Sequence, residues 1–75
     1  MKLPEKYEAA QRALAAAVRI DEVKDIYDKA LALEACAYQS KNYEMAADAV
    51  ELRLRATRRL GQLITILEIP HQGTA

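Results

Sequence analysis

Apolar residues recur along this chain at three- and four-residue intervals in three separate blocks. The first block runs Tyr7, Ala10, Leu14, Ala17 and Val18, a helical spacing that predicts a helix over about residues 5–18. Pro4 stands at its first turn, where the missing N–H removes no hydrogen bond, and Glu5 and Glu8 face the positive end of the helix dipole. The second block is Val23, Ile26, Tyr27, Ala30, Leu33, Ala37 and Tyr38, widened by Leu31, and it predicts a helix over about residues 22–39 with Asp21 as N-cap. Lys24, Asp25, Asp28, Lys29 and Glu34 fill its other side. Lys24 with Asp28, and Asp25 with Lys29, are i,i+4 pairs contributing a few tenths of a kcal/mol each.

Ser40, Lys41 and Asn42 interrupt the pattern with a turn, and Asn42 is placed to cap a third helix over about residues 43–68. Gly61 is its one weak point, costing about 1 kcal/mol against alanine unless it admits a close helix crossing. Residues 70–75 show no periodicity and are expected to form a flexible tail. The link at 40–42 is too short for anything but an antiparallel pair. The fold class is therefore all-α: an antiparallel helical hairpin with a shorter N-terminal helix, a three-helix unit in one domain over residues 1–69.

Helix lengths carry the next inference. At 1.5 Å per residue the second helix spans roughly 27 Å and the third roughly 39 Å, so the third overhangs by about 12 Å. The overhang holds Leu60, Leu63, Ile64, Ile66, Leu67 and Ile69. The first helix offers mostly alanine, which covers little area. These six residues are the expected interface for self-association, as a homodimer, or for a protein partner.

Composition sharpens this. Seventy-five residues make one small domain, and 52% hydrophobic content argues against disorder. Fifteen alanines and no Phe or Trp mean a thin core that a second copy would supplement. The apolar runs are far short of a bilayer span, and Glu5, Glu8 and Arg12 interrupt any signal-peptide core, so a cytoplasmic protein without membrane contact is expected.

The net charge of zero conceals segregation. Residues 1–20 carry four bases and two acids, a net +2; residues 21–51 carry three bases and eight acids, a net −5; residues 52–75 carry four bases and one acid, a net +3. Arg53, Arg55, Arg58 and Arg59 form the basic group, with Glu51 four positions before Arg55. They are the candidate patch for a charged partner or for nucleic acid. The acidic middle segment and the long third helix, unlike a helix-turn-helix, favour protein over DNA.

No constellation of catalytic chemistry is present. Cys36 is expected to be a small buried hydrophobe, and His71 an exposed histidine without an orienting carboxylate. Glu44 and Asp48 are at helical spacing but lack the histidines of a di-metal site. Of Tyr7, Tyr27, Tyr38 and Tyr43, the first three fall on the apolar stripes, which predicts packing rather than base stacking. No enzyme activity, cofactor, metal or small-molecule substrate is expected.

The run Val23-Lys24-Asp25-Ile26-Tyr27-Asp28-Lys29-Ala30, with the stretch from Ala46 through Arg58-Arg59-Leu60-Gly61-Gln62-Leu63, resembles a short helical segment of prophage and integrative mobile-element proteins. That segment often stands N-terminal to a region linked to DNA modification or replication. The resemblance covers roughly residues 5–64 and transfers no catalytic or binding residue. It implies a mobile-element regulator, in the manner of an antiactivator that sequesters a transcription factor. The chain stops soon after Ile69 with no such downstream region, so the helical unit is expected to act by contacts alone. Rival readings are a DNA-associated protein using the arginines, and a purely structural oligomerisation module.

Overall fold

The computed structural model describes residues 3–72, and the side chains of residues 3–66. A 3-10 turn at Glu5–Tyr7 leads into α1, Glu8–Ala16; α2 is Ile20–Gln39 and α3 is Tyr43–Gln72. Among the described residues every regular element is helical, and the fold is the three-helix, all-α arrangement that the apolar periodicity predicts. The predicted first helix divides, with a 3-10 turn at its start and an extended residue, Ala17 (φ −64°, ψ 133°), ending it two residues early.

The start of α2 lies upstream of the predicted one. Its N-cap is Arg19, whose backbone N–H donates to Glu22 Oε1 at 3.0 Å. The Val18 N–H donates to the same oxygen at 3.3 Å. This is the glutamate half of a capping box; an arginine side chain has only donors and cannot supply the other half. Asp21 instead accepts from the Arg19 guanidinium at 3.1 and 3.0 Å.

The α2–α3 turn closes by a Schellman arrangement. The Asn42 N–H donates to the Ala37 carbonyl at 2.8 Å and the Lys41 N–H to the Tyr38 carbonyl at 3.1 Å, with Lys41 in the left-handed region at φ 57°. Asn42 then caps α3 as its side chain predicts, its Oδ1 accepting from the Met45 N–H at 3.1 Å. α3 continues to Gln72, beyond the predicted end and through Pro70. Of the predicted tail, residues 73–75 lie outside the described residues.

Methyl groups dominate the seam between α2 and α3. Ala30, Ala37, Ala46, Ala49 and Ala56 are each no more than 1% exposed, and Val23 is the largest side chain buried completely. Larger groups close the side where α1 lies: Leu3, Tyr7 and Leu14 join Leu52 and Leu63 in one cluster, with Ile26, Tyr27, Leu33 and Leu60 packed against it. Asp48 is the buried charged residue of α3 among the described residues, 4% exposed. One tyrosine, Tyr38, departs from its predicted stripe. Tyr38 and Tyr43 flank the turn with their rings 6.4 Å apart, both mostly exposed, because no element reaches that end of the hairpin. Cys36 is exposed, not buried: it is one helical step past the buried row of Ala30 and Ala37.

With 20 residues in α2 and 30 in α3, the helices run roughly 30 and 45 Å, so the overhang is about 15 Å. It dominates the shape, which measures 49 × 22 × 20 Å.

Candidate functional site

The four arginines do not form one patch. Successive α3 residues are turned by about 100°, so Arg53 leaves the helix on a different side from Arg55 and Arg59. Arg53 Nε donates to Glu34 Oε1 across the hairpin at 2.9 Å, with both side chains largely buried. The Glu34 carboxylate, and after it the Tyr27 hydroxyl, holds this guanidinium more firmly in its charged form. Arg55 Nε donates to Glu51 Oε2 at 2.9 Å and its Nη1 to Gln11 Oε1 of α1 at 2.6 Å. That bond from Arg55 also holds the Glu51 carboxyl below its ordinary range. Arg59 bonds the Ala17 carbonyl at 2.7 Å and Gln62 Oε1 at 3.1 Å. Arg58 alone of the four is exposed. Three of the arginines thus act as clamps between helices. The i,i+4 pairs Lys24–Asp28 and Asp25–Lys29 form on the surface at 3.3 and 3.0 Å.

The six apolar residues of the overhang also divide. Leu63 is 4% exposed and belongs to the chain's own core, and Leu60 packs against that core. Ile64 is half-buried, Ile66 is 61% exposed, and the side chains of Leu67 and Ile69 lie outside the described residues, as does that of His71.

A second uncharged row runs along the back of α3, away from Arg55 and Arg59, which reach α1. It comprises Tyr43, Ala47, Val50, Leu54, Thr57, Gly61 and Ile64, spaced alternately by four and three residues. Every member is exposed or half-exposed, Leu54 at 45%. Gly61 faces open space, with no atom beyond its chain neighbours and its own helix backbone within 4 Å of where a Cβ would stand. The Thr57 hydroxyl donates to the Arg53 carbonyl at 3.0 Å, so this row presents its methyl without an unmet polar group. Leu31 of α2, 46% exposed, borders the row: three residues on, Glu34 pairs with Arg53, the neighbour of Leu54. The row was readable in the spacing but is overshadowed by the parallel inner row of Ala49, Leu52, Ala56 and Leu63.

Among the described residues no group of three or more His, Cys, Asp or Glu side chains could hold a metal ion. No described helix is long and apolar enough to cross a membrane. Surface depressions lie beside Leu3 and Glu8, and beside Arg59 and Ile66. Compared with known proteins, the chain matches no family model, no curated protein and no solved structure. Fold and surface together define a small all-α hairpin domain with an unpartnered apolar helix back.

Proposed function

We propose that the chain is a non-catalytic helical protein–protein interaction module, acting in the cytoplasm as a mobile-element regulator that binds a protein such as a transcription factor and keeps it from its DNA. The observation that supports this best is the uncharged back of α3, exposed over its length while Arg53, Arg55 and Arg59 are engaged within the fold. An exposed uncharged row on a small domain marks a contact surface, and among the α3 arginines Arg58 alone is exposed, which gives that helix little purchase on a phosphate backbone. The resemblance to mobile-element segments supplies the regulatory setting.

The test pairs the purified chain with a transcription factor encoded beside it, in a duplex-DNA retention assay at low and moderate salt. The chain alone should leave DNA unretarded, and adding it should release DNA from the factor. Salt-sensitive DNA binding by the chain itself, lost in Arg58→Ala, would replace this reading with a nucleic-acid one.

A further inference from the structure

We propose that two copies of this chain pair antiparallel along the back of α3, with Leu54 on the two-fold axis. The proposal rests on the interaction-module reading and names the occupant of its exposed row. It uses a different face from the overhang residues Leu63 and Ile66.

Alternating four- and three-residue spacing is the seam of a left-handed helix pair, and here it persists from Tyr43 to Ile64 without a charge. Turning a second α3 end for end about Leu54 makes the row complementary to itself. Leu54 meets Leu54 of the second copy, Val50 meets Thr57, Ala47 meets Gly61, and Tyr43 meets Ile64. Each small residue faces a small one and each bulky end residue faces another, which is the requirement of an isologous contact. The open space at Gly61 is where the second backbone would approach most closely.

Charges flanking the row choose the direction. In this antiparallel register Glu51 lies beside Arg58 of the second copy, twice by symmetry, and Arg58 is the exposed arginine. On the other flank Arg53 meets its own copy, with its charge already matched by Glu34. A parallel register would set Glu51 against Ala46 of the second copy and so forfeit both Glu51–Arg58 pairs. The row spans roughly 32 Å along a helix about 10–12 Å across, a contact smaller than the roughly 800 Å² per partner of a tight interface and matched to a pair that dissociates measurably.

Sedimentation equilibrium on the full chain should show a dimer at tens of micromolar. Leu54→Lys should raise the dissociation constant roughly a hundredfold or more, by forcing two ammonium groups together at the axis, while helicity by circular dichroism stays unchanged. Cross-linking then reads the register independently. In a Cys36→Ser background, Leu54→Cys should oxidise readily to a covalent dimer. A mixture of Ala47→Cys and Gly61→Cys chains should join 47 to 61 in preference to 47 to 47 or 61 to 61. A monomer at about 100 micromolar, a dimer indifferent to Leu54→Lys but dissociated by Ile66→Lys, or preferred 47-to-47 bridges would each overturn the proposal. None of these outcomes depends on whether a transcription factor is bound, so the dimer and the regulatory reading fail separately.

Discussion

Arg59 of α3 donates through Nη2 to the backbone carbonyl of Ala17 at 2.7 Å, 42 positions away along the chain, while its own Nε lies buried without a partner. Ala17 is the residue that ends α1, so a cation sits at the negative end of that helix and satisfies one of its terminal carbonyls. The bond ties α1 to the hairpin at a point where few large side chains do so. Arg59→Ala should cost about 1 kcal/mol, since a charge-assisted bond is lost but the unpaired Nε goes with it. Hydrogen exchange should localise the effect: amides of residues 8–16 lose protection, and those of α2 hardly change.

Leu63 and Ile66 are one helical turn apart and occupy opposite roles. Leu63→Ala removes a buried side chain of the central cluster and should cost about 2–4 kcal/mol, a large fraction of what so small a domain holds. Ile66→Ala should change stability by no more than about 0.5 kcal/mol. Urea denaturation of both variants at equal concentration checks this; equal losses would mean Ile66 is covered in solution.

Gly61 is inside a helix and Lys41 is in a left-handed turn, each where the other residue type would be more stable. Lys41→Gly should add up to about 1 kcal/mol by relieving the side-chain clash at φ 57°. Gly61→Ala should add about 1 kcal/mol to the folded monomer, because its Cβ enters open space. If α3 pairs as proposed, the same methyl group enters the closest approach between copies. Thermal melts of dilute Gly61→Ala should then rise while its dimer weakens severalfold by sedimentation.

Glu51 supplies the pH dependence. The hydrogen bond from Arg55 lowers its carboxyl in the folded state relative to the unfolded chain. A depressed acid stabilises fully above the ordinary glutamate range, and that contribution disappears as pH falls through the lowered value. Glu51→Gln should therefore be less stable than the parent at neutral pH and converge with it in acid. Urea midpoints measured from neutral pH down to about pH 3 test the convergence.

The helices themselves were legible because long amphipathic rows dominate the local signal: Val23, Ala30 and Ala37 all lie in the buried seam, and the Asn42 cap forms. Cys36 was misplaced by residue type, since cysteine is commonly buried, although its phase on α2 points outward. The arginines were misleading for the converse reason. Nearness in sequence made Arg53, Arg55, Arg58 and Arg59 look like one patch, and the turn of the helix distributes them. Their partners, the Gln11 amide and the Ala17 carbonyl, belong to a helix whose position depends on tertiary packing. A backbone carbonyl as acceptor leaves no mark in a sequence. The Arg19 cap was hidden likewise, because the group that does the capping is Glu22.

The alanine seam between α2 and α3 leaves the hairpin mechanically smooth. Methyl groups such as those of Ala30, Ala37, Ala49 and Ala56 allow the helices to lie close but interlock only shallowly, so one helix can slide along the other at small cost. Resistance to such shear then falls on the Asn42 turn at one end, the Arg53–Glu34 bridge in the middle, and the larger side chains on the α1 side, Leu33, Leu52 and Leu60 among them. Removing the bridge should leave the helices helical but less firmly aligned, so that a charged pair helps to set the phase of a seam built mostly of methyl groups.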